Sequence, residues 1–515
     1  MKGGFAHSLF TVSGLTVLSR VGGFVRDFLT AIFLGAGPVA DAFFVAQRLP
    51  NLFRSLFAEG AFSAAFVPLY TSENKRHGQE AAQRFAGNAL MLLLGALIPF
   101  SVLIMAFMPY VVRLMAPGFE PGTEKYDLAV QFCTITFPYL ILISVTALQT
   151  SVLNAHDRFA PGAAAPIAFN LVLIAGLLLA HVFGWHTGYT LAWAVSISGV
   201  IQCAWLALSC YRARLTLPFV QPYFDQAAKD LFHRIGPGAI GAGAAQINLL
   251  VSTVLASTLS TGAVSWLFYA DRLNQLPLGI VGIAVATTLL PLLSRHIEAG
   301  EEDRARHHSS RAIEFCVLLG LPATLGLIIL AEPIIGTLFQ HGAFTASDTQ
   351  KTAEALQAYA LGVPAFLLVK VFASIFFARH DTKTPVKVAI KAMLVNVVFS
   401  IALLGLLQHV GIALANSLAV SVNALLLYRA IRQKKFPLAE PGLPLKIAKI
   451  AVSSALMGLI AYGLMGLLWS PASPLSHRIG ILTLLIGVSG LSYFGALFMG
   501  GSLKDARLKE FFLKK

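Results

Sequence analysis

Residues 85–112 read FAGNALMLLLGALIPFSVLIMAFMPYVV, without a single Asp, Glu, Lys or Arg. A membrane-crossing helix needs ~20 mostly apolar residues, and this stretch exceeds that. Residues 128–155 and 159–180 are equally free of charge. The whole chain of 515 residues is 57% hydrophobic and only 12% charged, with a mean hydropathy of +0.74. A soluble domain carries roughly 25% charged residues. Fourteen candidate spans follow, near 8–34, 39–70, 85–112, 128–155, 159–180, 188–210, 235–260, 263–294, 315–331, 355–378, 392–408, 410–428, 450–469 and 479–503. The fold class expected is an all-α polytopic membrane protein with fourteen transmembrane helices.

The net charge of +14 first suggests nucleic acid, but the positions of the charges exclude that partner. With the N-terminus taken as cytoplasmic and sides alternating, only Arg113, Lys125, Lys351 and Arg478 of the 38 Lys and Arg fall in opposite-side loops. Six more lie inside spans, and all the rest are cytoplasmic. That bias is the positive-inside rule. It predicts a multi-pass membrane protein with both termini cytoplasmic, and some affinity for anionic headgroups of membrane lipids. The first span carries Arg20, Arg26 and Asp27 and lacks a short apolar core before a small-residue cleavage site, so it is expected to be retained.

The chain repeats itself. Ala46-Gln47-Arg48-Leu49 precedes Phe66-Val67-Pro68-Leu69, and Ala270-Asp271-Arg272-Leu273 precedes Leu289-Leu290-Pro291-Leu292. Pro138 precedes Asn170 by the same distance as Pro364 precedes Asn396. Arg48 to Arg272 and Pro138 to Pro364 give offsets of 224 and 226 residues. Each offset covers six spans, an even number, so the copies are parallel about an axis along the membrane normal. The predicted organisation is two pseudo-symmetric six-helix lobes, 1–212 and 213–433, with two C-terminal helices and a tail in 434–515.

Six cations inside spans need an explanation: Arg20, Arg26, Arg48, Arg54, Arg272 and Lys370. A charge at the bilayer centre costs at least ~2.5–3.5 kcal/mol, so such residues face a protein interior or a hydrated cavity. Arg20 and Asp27 are seven apart and share a helix face, with Gly23 between them and Arg26 pointing about 120° away. Asp41 and Arg48 are also seven apart, and Asn51, Arg54 and Glu59 continue the stripe. Asp27, Asp41, Glu59 and Asp271 can neutralise four cations, which leaves two uncompensated. Unpaired guanidinium groups suit phosphate or carboxylate, which their fork binds bidentately. Lys370 has a second reading, a stem that snorkels to the end of its helix.

Other chemistry finds no support in the sequence. The four cysteines, Cys133, Cys203, Cys210 and Cys316, show neither metal nor disulfide spacing and read as small buried hydrophobes. Gly236, Pro237, Gly238 and Gly241 match G-x-G-x-x-G, but no strand precedes them. They read as close packing, with Pro237 starting a helix. No nucleophile elbow, zinc helix or acidic diad is present, so neither a catalytic residue nor a metal site nor a cofactor is expected. The opposite-side loops are too short for a domain. Phe339-Gln340-His341-Gly342-Ala343-Phe344 is a candidate interfacial segment, and 295–314 reads as a solvated amphipathic connector.

A family resemblance covers essentially the whole chain. Leu18-Ser19-Arg20-Val21-Gly22-Gly23-Phe24-Val25-Arg26-Asp27 opens it. Asp41-Ala42-Phe43-Phe44-Val45-Ala46 and Leu49-Pro50-Asn51-Leu52-Phe53-Arg54 follow. Phe57-Ala58-Glu59-Gly60-Ala61-Phe62-Ser63 and Tyr269-Ala270-Asp271-Arg272-Leu273 complete it. These motifs resemble the MurJ/MviN lipid II flippase family of the MOP exporter superfamily. The resemblance implies a V-shaped cavity between two lobes, a groove for the lipid tail beside the last two helices, and no enzyme activity. It implies alternating access that carries lipid II, an undecaprenyl-diphosphate-linked glycopeptide, from the cytoplasmic to the periplasmic leaflet. Cell-wall synthesis proteins are candidate partners. Substrate-binding positions carried over are Arg20, Arg26, Asp41, Arg54 and Arg272, with Asp41 pairing arginines in the empty cavity. Ser19, Asp27, Arg48, Asn51, Glu59, Ser265, Asp271, Gln275 and Lys370 are supporting. Some members carry Glu where this chain has Gln275.

A MOP exporter of another polyprenyl-linked saccharide, or of drugs, shares the fold, but a cationic-drug antiporter needs an acidic cavity. A polyprenyl-phosphate enzyme needs acidic or histidine-bearing surface loops. A division scaffold would tolerate Arg26→Ala.

Overall fold

Apolar composition leaves the backbone no water to bond with, so helices are the expected response, and all regular structure among the described residues is helical. The computed structural model describes residues 2–57 and 61–501. Side chains are described for these save 2–10, 53–57, 61, 232, 235–245, 247, 280, 283, 284, 286 and 287. In chain order the helices are α1 (Lys2–Leu34), α2 (Pro38–Phe57), α3 (Ala61–His77), α4 (Gln79–Ala106), α5 (Met108–Met115) and α6 (Glu124–Thr136). Next come α7 (Tyr139–Asn154), α8 (Ala160–Phe183), α9 (Thr187–Arg212), α10 (Gln226–Ser257), α11 (Ala263–Glu298) and α12 (Glu302–Ile329). The last are α13 (Ala331–Leu338), α14 (Ala346–Ala360), α15 (Val363–Phe377), α16 (Lys383–Gln433), α17 (Leu443–Leu468) and α18 (Leu475–Met499).

Among the described residues, nine helical segments are long and apolar enough to cross a membrane. One of them, α16, runs 51 residues, about 77 Å as a straight helix and more than twice the ~30 Å of a hydrocarbon core. It does not run straight. Gln408 takes φ 49 and ψ −129 inside it. A Cβ on Gly411 would lie 2.6 Å from the Leu403 carbonyl oxygen, although eight residues of helix would separate the two by about 12 Å. The chain therefore folds back at Gln408, and glycine at 411 lets the two arms touch.

The two chain halves carry the same turns. Every described residue with positive φ except Gly501 has a counterpart 220 to 227 residues away: Gly35 and Gly262, Gly78 and Gly300, Gly122 and Gly342, Asp157 and His380, Gly184 and Gln408, Arg214 and Lys435. Helices correspond as well. The eight-residue α5 and α13 match, and Thr123 and Thr345 cap the helices that follow them.

Two compact units form, Met1–Ser265 with His341–Phe344, and Trp266–Gln340 with Thr345–Lys515. In the first, α8 packs on α1 and α9, α6 on α2, and α10 on α2 and α3. Its core stacks Phe66 against Phe62, Tyr70 and Phe85. In the second, α12 packs on α15 and α17, and α14 and α15 pack on α16. Val285, Leu289, Leu367, Val371 and Ile375 are buried at its centre. Burying each such side chain contributes ~1.5–3 kcal/mol against water.

Two local expectations change. Pro237 does not start its helix: α10 begins at Gln226, where Asp225 Oδ1 accepts the Ala228 N–H at 2.8 Å. The connector 295–314 is mostly helix, because α12 runs unbroken from Glu302 through Pro322. The interfacial candidate 339–344 also finds a definite place. Ala343 N donates to the Ile32 carbonyl at 2.8 Å, and a Cβ on Gly35 would stand 2.5 Å from the Ala343 carbonyl oxygen. Residues 341–344 thus clasp the end of α1.

Candidate functional site

The polar patch on α1 is built around Arg26. Its Nε and Nη2 donate to Asp27 Oδ1 at 3.0 and 2.6 Å, and its Nη1 donates to Asn170 Oδ1 at 3.0 Å. Asn170 Nδ2 in turn donates to the Ser19 carbonyl at 2.9 Å. A Cβ on Gly22 or Gly23 would lie 3.5 and 3.7 Å from Asn170 atoms, so the glycine pair makes room for this neighbour from α8. The Arg26 guanidinium also lies 5.6 Å from the Phe169 ring centroid. Adjacent helix positions do not face each other, yet the long Arg26 stem brings its fork round to Asp27. Arg20 and Asp27 lie two turns apart on the unbroken α1, but the Asp27 carboxylate meets Arg26, and Arg20 is exposed.

A second constellation lies where α2 starts. Asp41 is fully buried. Its Oδ2 accepts the Gly262 N–H at 2.8 Å, and its Oδ1 accepts the Ser265 N–H at 3.0 Å and the Ser265 hydroxyl at 2.6 Å. Lys125 Nζ lies 2.8 Å from Oδ2 and 4.2 Å from the Phe119 ring centroid. The first N–H groups of any helix lack partners within it, and here a carboxylate from α2 serves those at the start of α11. Asp41 pairs with Lys125 in this structure, not with an arginine. By its sequence position Lys125 is only a loop charge. One signal was available: Lys125 sits in the first turn of α6, where the helix dipole disfavours a cation unless a specific anion holds it.

The other expected residues are placed as follows. Arg48 and Asn51 on α2 are half-buried. The Arg54 side chain and Glu59 lie outside the described residues. Arg272 lies 4.7 Å from the Phe268 ring centroid, and Gln275 Nε2 donates to Asp271 Oδ2 at 2.5 Å. Lys370 is exposed and stands 5.2 Å from the Phe366 centroid. Ser265 belongs to the Asp41 cage. Asn170, used in the sequence only to mark the repeat, turns out to hold Arg26.

Outside the spans, the second unit ties its helix ends with ion pairs. His307 meets Glu440 at 2.7 Å, His296 meets Glu301 at 2.6 Å, and Lys434 meets Asp381 at 2.5 Å. The His307 bond lowers the Glu440 pKa, and the His296 bond lowers that of Glu301. Lys434 holds Asp381 well below the usual carboxylate range.

Residues 30–481 match the family model described as lipid II flippase MurJ. The chain belongs to the MurJ family. A probable lipid II flippase MurJ of Rhizobium meliloti is 40% identical over 500 residues, 96% of this chain and 93% of that protein. One of Rhizobium tropici is 39% identical over 97% of this chain and 95% of its own length. The lipid II flippase MurJ of Burkholderia cenocepacia is 34% identical over 96% and 97%. A solved structure described as lipid II flippase MurJ in an inward closed conformation superposes with a TM-score of 0.78 at 26% identity, covering 95% of this chain and 99% of that one. An inward-facing multidrug MATE transporter of the MOP superfamily reaches a TM-score of 0.70 at 14% identity, over 82% of this chain and 97% of its own. At that identity it shares the fold alone. MurJ membership and the apolar helices make the chain a multi-pass membrane protein of a transporter family.

Proposed function

We propose that this chain flips lipid II, moving the undecaprenyl-diphosphate-linked peptidoglycan precursor from the cytoplasmic to the periplasmic leaflet by alternating access, without covalent chemistry. One observation carries this reading: close to 40% identity to MurJ relatives over nearly the full chain. The chain sits in the bacterial inner membrane with both termini cytoplasmic. Its fourteen crossings divide into transport lobes 1–212 and 213–433, followed by the C-terminal pair. Arg20, Arg26, Arg54 and Arg272 hold the diphosphate and peptide carboxylates of the substrate. Arg48, Lys370, Asn51, Glu59, Asp271 and Gln275 tune the charge around them, and Ser19 supports Arg26 through Asn170.

Asp41 acts at the other end of the cycle. Four donors converge on its carboxylate, and they favour the state in which the starts of α2, α6 and α11 are tied together. A ligand shifts such an equilibrium only through contacts that differ between the states. Substrate on the arginines must therefore be worth more once the tie opens. Outward movement of an anionic headgroup gains ~2.3 kcal/mol per charge per 100 mV of negative interior potential.

Complementation in cells depleted of their own flippase tests this. Arg20, Arg26, Arg54 and Arg272 are each changed to Ala and to Lys. Each Ala variant is expected to lose rescue and each Lys variant to retain part of it. Full rescue by every Ala variant would end the proposal.

A further inference from the structure

We propose that an open cavity of about 630 Å³ beside the turn of α16 binds a phospholipid whose headgroup carries a phosphate and a primary ammonium. Ligand pockets commonly span ~300–1,000 Å³, so this one takes a headgroup and the first part of its acyl chains. Its polar side is Lys351, Glu354 and His409, and its apolar side includes Leu361, Leu406 and Leu414. Leu361 and Leu406 are exposed, Leu406 by 81%, as lipid-facing residues of a membrane helix are.

The charges suit a zwitterion. Lys351 and Glu354 lie one turn apart on α14, with Nζ and Oε2 separated by 3.6 Å. Their side chains keep 38% and 34% of their exposure. A loose, exposed pair contributes little, so a ligand displaces it at little cost, with phosphate on Lys351 and ammonium on Glu354. The floor is fixed in advance. His409 Nε2 donates to the Lys351 carbonyl at 2.9 Å and lies 4.0 Å from Glu354 Oε2, and Gln357 Nε2 donates to the Ile328 carbonyl at 3.0 Å.

The first half lacks such a site at the same place. Counted from the matching caps Thr123 and Thr345, Ala129 and Phe132 stand where Lys351 and Glu354 stand, and counted from the matching turn at Gly184 and Gln408, Trp185 stands where His409 does. Neither charge is present. An anionic lipid lacking the ammonium would meet Glu354 as a like charge. A quaternary ammonium lacks the N–H groups that Glu354 accepts.

Native mass spectrometry of the purified full chain in detergent tests this independently of transport and orientation. Short-chain phosphatidylethanolamine, phosphatidylcholine and phosphatidylglycerol are titrated, with free phosphoethanolamine as the headgroup alone. Phosphatidylethanolamine is expected to bind at least tenfold tighter than the other two lipids, and free phosphoethanolamine more weakly than the lipid. Glu354→Gln should erase the preference, and Leu414→Trp should lower binding by filling the cavity. Equal affinity for the three lipids overturns the proposal, as does a preference that survives Glu354→Gln. Tighter binding of phosphatidylglycerol, lost in Lys351→Met, would make the site one for anionic lipid and overturn the ammonium assignment.

Discussion

The first turns of α2 and α6 are tied by Lys125 and Asp41, at 2.8 Å. The corresponding first turns of α11 and α14 are tied by Trp266 Nε1, which donates to Asp348 Oδ1 at 2.8 Å. The backbone places a link at the same point in both halves, but the chemistry differs. One tie is a fully buried carboxylate matched by a lysine. The other is a neutral donor on an acid that also serves Thr345 in a capping box. The repeat thus conserves where the chain turns and leaves the side chains at those turns free to diverge. A buried charge pair answers more steeply to the loss of a partner than a neutral bond does, so the first half carries the more sensitive tie.

That difference can be broken by mutation. Lys125→Met strands the Asp41 carboxylate, and removing one partner of a buried ion pair costs ~3–5 kcal/mol. Asp348→Ala removes a hydrogen bond worth ~1 kcal/mol and a capping acceptor worth about as much. Melting temperatures in detergent should therefore fall further for Lys125→Met. Asp41→Asn combined with Lys125→Met removes the stranded charge but sets an amide NH2 against a backbone N–H that the carboxylate accepted, so it should recover only part of the loss. Equal losses in the two single variants would show the ties to be equivalent.

A smaller effect is expected at the turn shared by Gly184 and Gln408. Gly184 has φ 66 with open space around its Cβ position, while Gln408 has φ 49 and ψ −129. Non-glycine residues in such regions store ~1–3 kcal/mol. Gln408→Gly should raise the melting temperature, and Gly184→Ala should lower it. A fall in both variants would mean that the Gln408 side chain stabilises the hairpin.

The smallest effect concerns pH. Glu301, Asp381 and Glu440 have folded pKa values below their ordinary ones. A depressed carboxylate stabilises above its unfolded pKa of ~4, and the contribution fades as pH falls through the folded value. Hydrogen exchange should rise around 379–384 and 434–440 below about pH 4.

Much of this architecture was legible before any coordinates. Lipid leaves a coarse signature, and runs such as 85–112 declare themselves by the absence of charge. Length alone divided 392–408 from 410–428, and the structure turns at Gln408. Element starts were less legible, because hydropathy marks where lipid lies rather than where a helix begins. Hence α10 starts at Gln226, well before its apolar run. The partners of buried charges were hidden for another reason. Arg26 meets Asn170 and Asp41 meets Lys125 only once distant helices pack, and no local spacing encodes either meeting.

The clasp of 341–344 on α1 has a consequence for biosynthesis. Asp41 obtains its last donors only after residue 265 is made, and Ile32 obtains Ala343 only after residue 343 is made. About two thirds of the polypeptide must leave the ribosome before the earliest part is complete. Until then the nascent N-terminal helices wait in the bilayer with one end unfinished. A gene split between codons 265 and 266 would therefore yield a first fragment that lacks its own closing strap.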